Sequence, residues 1–235
     1  RSAQSIQPGD QRAKYMSTLQ KASGLIPQIT FKPLPPEEAA RRQKQLEDFE
    51  ERQRQGRIQD IMAGCGAWKR HLEFQPSFAG IWGGKFSMME KKLGSGFLSA
   101  IVGLAGNGKT QIGVELMKVV MEKEQTAFFT TAVDFFTAIK GTYRKDSTEG
   151  EADVLLRYRK PWFLVIDEFG KRSESEWEMT QLFQVINHRY GDKSDTLLID
   201  NRNKEEFLAG VGPSIASRML ETGGIIEANW ESFRK

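Results

Sequence analysis

The sequence predicts an α/β fold in which a parallel five-stranded β-sheet is flanked by helices and preceded by a helical and flexible N-terminal extension. From residue 97 onward, short apolar runs typical of buried strands alternate with segments whose apolar residues recur at helical spacing. A glycine-rich loop ending in Lys and Thr directly follows the first of these strands. With 235 residues, 39% of them apolar, the chain is long enough for one compact domain plus an extension.

The predicted strands and helices alternate along the second part of the chain. Parallel strands need crossover connections, so this order places helices on both faces of the sheet. The strands are predicted over residues 97–103, 126–131, 162–167, 195–200 and 225–228. Apolar residues at helical spacing are Ile112, Leu116, Val119 and Val120 in one segment and Met179, Leu182, Phe183, Ile186 and Tyr190 in another.

Residues 1–70 are predicted to form a partner-binding extension, and residues 71–235 the main domain. Residues 1–35 are rich in Gln, Ser and Pro and cannot bury enough apolar surface to order themselves alone. Pro36 and the acidic residues after it mark the start of a helix that runs to about residue 62. Two interpretations of this helix stay open: a solvated helix packed along the main domain, or a docking helix for another protein.

The net charge of +3 is unevenly distributed. Residues 1–70 carry 13 Lys and Arg against 8 Asp and Glu, a balance of +5, whereas residues 71–235 carry 21 against 23, a balance of −2. The basic excess therefore lies in the extension, which favours a polyanion or, first of all, an acidic protein surface as its target.

The composition excludes several classes of protein. No stretch approaches the roughly 18–20 apolar residues of a membrane-spanning helix. Cys65 is the only cysteine, so an internal disulfide cannot form, as is typical of a reducing cytosol. Cys65 and His71 have no further Cys or His nearby, which argues against a zinc site. We therefore expect a cytoplasmic protein without a membrane segment or zinc.

Residues 103–110, Gly-Leu-Ala-Gly-Asn-Gly-Lys-Thr, fit the phosphate-loop pattern G-x-x-x-x-G-K-[ST]. Because the loop opens a helix, its backbone N–H groups can surround the phosphates of a nucleotide. The Lys is expected to reach the β- and γ-phosphates, and the Thr hydroxyl to bind Mg²⁺. The predicted nucleotide-binding residues are Gly103, Gly106, Asn107, Gly108, Lys109 and Thr110.

Two adjacent carboxylates, Asp167 and Glu168, follow the apolar run of residues 163–166. An acid at the carboxyl end of a parallel strand next to the phosphate loop can support Mg²⁺, which suits Asp167. Glu168 is then placed to polarise the attacking water as a general base, which favours hydrolysis over transfer to a small molecule. The alternative is a pair that only ends a strand and begins a turn.

Asn201 follows the fourth predicted strand and is expected at the same edge of the sheet. Its amide could bind the γ-phosphate or the attacking water. Because Asn is also common in turns at strand ends, a purely structural role is the alternative.

These motifs, taken in order, resemble the AAA+ ATPases of the DnaC/IstB family, most of all the DnaC-type helicase loaders of bacteria and phages. The resemblance covers residues 97–235. Besides the phosphate loop, the resemblance rests on Asp167-Glu168-Phe169-Gly170, Leu198-Ile199-Asp200-Asn201, Ser217-Arg218-Met219-Leu220 and the closing run Asn229-Trp230-Glu231-Ser232-Phe233-Arg234. The phosphate loop and the acidic pair occur in many NTPases, whereas the closing run and its spacing from Arg218 are more particular to the loaders.

The resemblance implies an AAA+ P-loop core that hydrolyses ATP with Mg²⁺. It gives Asn201 the role of the sensor-1 residue and Arg234 that of the sensor-2 arginine near the γ-phosphate. It makes Arg218 the arginine finger, which acts on ATP bound by a neighbouring subunit and so implies an ATP-dependent homo-oligomer. A fixed guanidinium offsets charge on the transferring phosphoryl group. The catalytic set is then Lys109, Glu168, Asn201, Arg218 and Arg234, with surface arginines as the structural alternative for the last two.

Three features depart from the family pattern. Asp200 stands where the family usually has Ser or Thr, and residues 212–216 lack the usual charged pattern before Arg218. Many loaders carry a Cys-rich zinc module, which a chain with one cysteine cannot form. A helicase-binding part in residues 1–70 must therefore work differently.

Two basic clusters with aromatic residues are candidates for binding single-stranded DNA. They are separated by an acidic stretch, residues 146–153. By the resemblance, they fall where loaders insert an extra helix that contacts single-stranded DNA; the alternative is a solvated loop. The clusters comprise Tyr143, Arg144 and Lys145, and Arg157, Arg159 and Lys160.

The first predicted function is an ATP-dependent helicase loader in DNA replication, in a bacterial or phage-infected cell. It would bind a replicative helicase through residues 1–70, hold single-stranded DNA and hydrolyse ATP during loading and release. The alternative is a transposition regulator of the same fold that acts on duplex DNA with a transposase, which the closing run disfavours. A small-molecule phosphotransferase would need a lid-like insertion over its substrate, and this sequence shows none. A module that binds but scarcely hydrolyses ATP disagrees with the presence of Lys109, Asp167 and Glu168.

Overall fold

A computed structural model describes residues 34–233 of the protein. Most of the segment predicted to be flexible, residues 1–35, lies outside the described residues, and so does Arg234. The chain divides into two compact units within the first described helix: one ends at Phe49 and the other begins at Glu50.

Helix α1 spans Pro36–Ala63, as the sequence predicts. Glu37 and Glu38 lie in its first turn, where the positive end of the helix dipole stabilises acidic side chains. Every described residue of the first unit is exposed, including Leu46 (56%) and Phe49 (53%). Because these two residues are three positions apart, they lie on the same side of the helix and form an apolar spot on a polar surface.

The second unit holds the sheet and the remaining helices. Among the described residues, no helix has both the length and the apolar content needed to span a bilayer. It includes the part of α1 that follows Phe49. Its other helices are α2 (Lys69–Leu72), α3 (Gly80–Glu90), α4 (Lys109–Glu122), α5 (Ala132–Gly141), α6 (Glu151–Arg159), α7 (Glu176–Gly191), α8 (Lys204–Val211) and α9 (Pro213–Thr222). Its strands are β1 (Leu98–Val102), β2 (Ala127–Thr131), β3 (Phe163–Asp167), β4 (Asp195–Ile199) and β5 (Gly224–Glu227), and a short 3-10 turn, Phe169–Lys171, follows β3.

All five strands pair in parallel, in the order β2-β3-β4-β1-β5, which confirms the predicted sheet. The register places Ile101 beside Ile199 and Thr131 beside Asp167. The chain leaves β1 towards β2 on one side of the sheet and later adds β5 on the other side. Such a change of direction creates the crevice at the carboxyl ends of the strands where ligands of open α/β sheets bind.

Alternate residues of the strands face two separate apolar layers, as the period of a strand requires. Ile101, Val165 and Ile199 contact the layer built with α3 and α4. Ala100 and Leu198 face the opposite layer, built with α5 to α9. Both faces of the sheet are thus covered by helices, which explains why the strands are apolar throughout.

The apolar stripe predicted on α7 is only partly core. Leu182 and Ile186 are fully buried against the sheet. Phe183 is 37% exposed, and the Tyr190 hydroxyl donates to the Glu221 carboxylate at 2.9 Å. Helical spacing could not separate these two sets because α7 packs against the sheet and also against two helices, α6 and α9.

Residues 50–70 belong to the sheet-containing unit and pack against the rest of it. The Arg57 guanidinium donates to the Glu124 carboxylate at 2.5 Å and lowers the pKa of that group. Ile58 is buried, and the Cys65 carbonyl accepts the Phe129 N–H at 2.7 Å, next to the edge strand β2. These residues belong to the compact unit that begins at Glu50. The predicted division into a partner-binding extension, residues 1–70, and a main domain, residues 71–235, stays a prediction.

Arg189 on α7 is a fully buried cation at the amino edge of the sheet, 1% exposed. Its Nη1 donates to the carbonyls of Tyr158, Arg159 and Pro161 at 3.2, 3.0 and 2.7 Å. Its Nη2 donates to the Asp195 carbonyl at 2.5 Å, and burial lowers the pKa of the guanidinium to about 10. One side chain therefore connects the end of α6 with the start of β4.

Candidate active site

The glycine-rich loop connects β1 to α4 at the carboxyl edge of the sheet. Gly108 precedes the first residue of α4 with a φ of 74°, in the left-handed region that glycine adopts without strain. A Cβ at this position would lie 2.8 Å from Trp82 Nε1, closer than real Cβ atoms approach other atoms. No side-chain hydrogen bond caps the described start of α4, and a helix N-terminus favours the binding of an anion.

Two tryptophans and an asparagine hold the loop in place. Trp82 Nε1 donates to the Gly108 carbonyl at 3.1 Å, and Trp230 Nε1 donates to the Asn107 carbonyl at 2.7 Å. In return, Asn107 Nδ2 donates to the carbonyls of Ala228 and Trp230 at 2.8 and 2.6 Å. The loop and the segment after β5 are therefore bound to each other in both directions.

We expect Trp230→Phe to weaken ATP binding by about 5-fold, because it keeps an aromatic ring but leaves the buried Asn107 carbonyl without its donor. Isothermal titration calorimetry with ATP would measure the change. Trp162→Phe is the matched control, since Trp162 lies at the amino edge of the sheet, where its backbone N–H, which the substitution keeps, donates to the Thr126 hydroxyl at 3.2 Å. Equal ATP affinities for both variants would contradict the role of the indole in ordering the loop.

Lys109 is 4% exposed, and its amine spans the loop to which it belongs. Its Nζ donates to the carbonyls of Gly103 and Leu104 at 2.7 and 2.6 Å. The amine thus lies inside the turn of the loop, where a bound phosphate group would also accept from it.

Thr110 and Asp167 meet at the ends of α4 and β3. The Thr110 hydroxyl donates to Asp167 Oδ2 at 2.6 Å. Burial raises the pKa of the Asp167 carboxyl, while the bond from Thr110 opposes that shift. A cation at this point would favour the ionised carboxylate.

The oxygen atoms of Thr110 and Asp167 fit Mg²⁺, which is usually held by one or two protein oxygens together with phosphate and water. Within residues 34–233, no group of three or more His, Cys, Asp or Glu side chains is placed to hold a metal ion.

Glu168 follows the last residue of β3 in a left-handed conformation, φ 53° and ψ 38°. For a residue other than glycine this conformation costs about 1 kcal/mol or more, and it recurs at functional sites. The Glu168 N–H donates to Asp167 Oδ1 at 2.6 Å. The Lys171 amine donates to Glu168 Oε1 at 2.6 Å, an ion pair close to the end of the strand in which the lysine side chain is exposed.

Asn201 is exposed just after β4, next to the phosphate loop. The Gly103 N–H donates to the Arg202 carbonyl at 3.0 Å, and the Asp200 N–H donates to the Ile101 carbonyl at 3.0 Å. Because β3, β4 and β1 are neighbours in the sheet, the ends of these strands bring the acidic pair, Asn201 and the loop to one edge. Arg234 lies outside the described residues.

Arg218 contacts α7 of its own chain. Its Nη1 donates to the Ser214 carbonyl and its Nη2 to Asn187 Oδ1, both at 2.9 Å. Its guanidinium carbon lies 5.2 Å from the Phe183 ring centroid and 5.3 Å from that of Tyr190. The described contacts of Arg218 do not include the phosphate loop of the same chain.

The two basic clusters lie at opposite ends of the strands, one at the carboxyl ends and the other at the amino ends. The Tyr143 ring lies 6.1 Å from that of Trp177, at the start of α7, on the carboxyl side of β3. Arg157 and Lys160 line a shallow cavity of about 390 Å³ together with Thr126, which precedes β2 at the amino edge. The remaining members are Arg144 and Lys145, both exposed, and Arg159, half-buried on α6.

Sequence reasoning missed the residues that support the loop and the acidic pair. Trp82 lies in a segment without a motif, and only its contact reveals its role. Trp230 belongs to the quoted closing run, but a sequence pattern does not show which atom its indole binds. Lys171 stands three residues after Glu168, a spacing that suits an ion pair and was an available signal.

Comparisons with known proteins agree with this site. The sequence profile of the IstB-like ATP binding protein family matches residues 99–235. The replicative helicase loader DnaC of Escherichia coli K12 is 28% identical over 133 residues, which are 56% of this chain and 54% of that protein. An insertion sequence IS5376 putative ATP-binding protein of Geobacillus stearothermophilus is 29% identical over 139 residues, 57% of this chain and 53% of that protein.

A crystal structure of the DnaC helicase loader superposes with a TM-score of 0.55 at 17% identity, covering 68% of this chain and 99% of that one. This likeness concerns the fold, an AAA+ P-loop core with a five-stranded parallel sheet. The chain spans about half the length of the curated relatives it matches. Since the profile match covers more than half of the chain and includes the phosphate loop, the acidic pair and the strand ends, the protein is a member of the IstB-like ATP binding protein family of AAA+ ATPases.

Proposed function

We propose that the protein hydrolyses ATP at the carboxyl edge of its sheet. The observation that carries the proposal is the meeting of Thr110, Asp167 and Glu168 beside the phosphate loop: the Thr110 hydroxyl and the Glu168 N–H bind the two oxygens of Asp167. The loop N–H groups and Lys109 bind the phosphates. Mg²⁺, held by Thr110 and Asp167, would supply positive charge that offsets the charge of the phosphate oxygens.

In this proposal, Glu168 orients and deprotonates the attacking water, since its carboxylate lies directly after the acid that holds the ion. Asn201 donates to the γ-phosphate or the water from the end of the neighbouring strand. Arg218 acts on ATP of a second copy, which agrees with its place on α9, where its guanidinium contacts α7 rather than the phosphate loop of its own chain. Arg234 completes the proposed set.

The larger role that we propose is that of a helicase loader in DNA replication. Support comes from the family, from a relative named as a replicative helicase loader and from the predicted basic extension. The exposed Leu46 and Phe49 on α1 offer an apolar contact for a protein partner, surrounded by charged side chains. Single-stranded DNA is the proposed second partner, through Tyr143, Arg144 and Lys145 or through the cluster on α6.

The full-length tagged protein is expected to recover a hexameric replicative helicase from a bacterial extract, and Leu46→Ser/Phe49→Ser should lower that recovery at least about 10-fold. The reason is that each apolar side chain contributes about 1.5–3 kcal/mol when buried in an interface. Mass spectrometry of the recovered proteins measures the result.

Phe74→Ser is the control variant, because Phe74 is 54% exposed and lies on the other unit. Helicase recovery that is equal for the α1 variant and the wild type would exclude α1 as the docking element. A failure to recover any helicase would exclude the loader role.

A transposition regulator is the second candidate, favoured by the match to an insertion-sequence ATP-binding protein. It would bind duplex DNA and a transposase, whereas a loader would bind single-stranded DNA and a helicase. Fluorescence anisotropy with matched single-stranded and duplex oligonucleotides separates the two, and a preference for duplex would favour this second function.

A further inference from the structure

A charge pair, the buried Asp200 and the half-buried Arg202, flanks Asn201 on both sides along the chain. Asp200 is 1% exposed, and its Oδ2 accepts from Arg202 Nε at 3.0 Å and from Arg202 Nη2 at 2.8 Å. Its Oδ1 accepts the Arg202 N–H at 2.9 Å. The three bonds form a closed turn around Asn201, which fixes the backbone that carries this side chain.

The main chain of Arg202 reaches the phosphate loop. Its carbonyl accepts the N–H of Gly103, the first residue of the loop, at 3.0 Å. The same residue therefore holds the Asp200 carboxylate with its side chain and the start of the loop with its backbone. A shift of Arg202 would move Asn201 relative to bound phosphate.

The Arg202 side chain also reaches the segment that follows Glu168. Its Nη1 donates to Glu174 Oε1 at 2.6 Å. Gly170, two residues after Glu168, packs directly on the pair: a Cβ there would lie 2.7 Å from Asp200 Oδ1 and 2.8 Å from Arg202 Nε. The pair and the loop after Glu168 thus leave no space between them.

The pair is electrostatically unusual for an open edge of a sheet. Burial opposes the charged form of Arg202, but the bonds and charges of Asp200 and Glu174 outweigh it and raise the pKa of the guanidinium. Taking a charge out of water costs free energy unless the geometry and hydrogen bonds are nearly complete, and here that cost falls mainly on Asp200, because the Arg202 side chain is 24% exposed. Such a pair is a poor source of stability and a good means of fixing one geometry.

We propose that Arg202 is a positioning residue for ATP hydrolysis, which with Asp200 and Glu174 fixes Asn201 against the phosphate loop and against the segment that carries Glu168. The proposal rests on the proposed ATPase function. It assigns to Arg202 no contact with the nucleotide: it acts through the Gly103 backbone, Asn201 and the turn after Glu168.

The test compares Arg202→Gln with the double variant Asp200→Asn/Arg202→Gln. We expect Arg202→Gln to lower kcat about 10- to 100-fold, because small displacements of positioned groups have effects of this size, with ATP affinity changed by less than about 3-fold. The melting temperature should fall as well, since Asp200 is left as a buried unpaired charge. In the double variant that charge is absent, so the melting temperature should recover while kcat stays low.

Turnover, ATP affinity and melting temperature are measured on the full chain, with Arg70→Gln as the control for an exposed arginine. A kcat that recovers with the melting temperature in the double variant would show a merely structural role and overturn the proposal. An unchanged kcat in Arg202→Gln beside an active wild type would overturn it too. A wild type that binds but does not hydrolyse ATP would overturn the proposed function and this inference together.

Discussion

Replacing Glu168 with Gln is expected to lower the kcat of ATP hydrolysis at least about 100-fold while ATP still binds. A positioned general base contributes roughly 10²- to 10⁴-fold, and the amide of Gln cannot take the proton of the water. The substitution keeps the shape of the side chain and does not touch the loop. A coupled assay for phosphate release measures kcat, and calorimetry with ATP measures affinity.

Lys109→Ala provides the comparison, since it should abolish hydrolysis by removing the amine that reaches the phosphates and should weaken ATP binding as well. The two variants therefore separate chemistry from binding. Undiminished turnover in both would exclude this edge of the sheet as the hydrolytic site. Loss of affinity in Glu168→Gln would show instead that the carboxylate supports the loop.

Arg189→Met is expected to lower the free energy of unfolding by about 3–5 kcal/mol, the range found when one partner of a buried polar network is removed. Four backbone carbonyls lose their donor, among them those of Pro161 and Asp195. These carbonyls close the end of α6 and the start of β4, so water can reach them only if the amino edge of the sheet opens. Urea denaturation followed by circular dichroism measures the change.

Arg52→Met is the matched control, because Arg52 is exposed on α1 and its removal should change stability by less than about 0.5 kcal/mol. Arg189→Lys tests the geometry: it keeps the charge but offers one donor group in place of a planar fork, so it should be destabilised to an intermediate degree. Equal stability of Arg189→Met and the control would mean that the carbonyls find other partners.

The candidate site residues could be predicted from the sequence because their spacing follows from backbone geometry. A loop that wraps phosphates needs glycines at fixed offsets, and the carboxyl ends of parallel strands share an edge. The prediction of Lys109, Thr110, Asp167 and Glu168 at one site used no more than this, and the structure brings these four residues together. Asn201 followed from the same argument.

The supporting contacts were not readable, because they join residues far apart in the chain through single atoms. The bond from Trp230 to Asn107 spans 123 positions. The bond from Arg202 to Glu174 spans 28. The sequence marked Asp200 only as a departure from the family pattern; its partner became visible through side-chain geometry. Likewise, helical spacing placed Phe183 and Tyr190 in an apolar stripe, and the fold placed them around Arg218.

The sequence by itself determined the five strands, their parallel pairing and the helices at residues 36–63, 109–122 and 176–191, because these depend on local periodicity; it also predicted the candidate nucleotide site from short motifs. Only the tertiary structure decided where the compact unit begins and which contacts orient the loop. It also decided that the two basic clusters lie at opposite ends of the strands, one at the carboxyl ends and the other at the amino ends. The physical reason is that burial and hydrogen bonding between distant segments depend on the packing of whole helices, which local spacing does not encode.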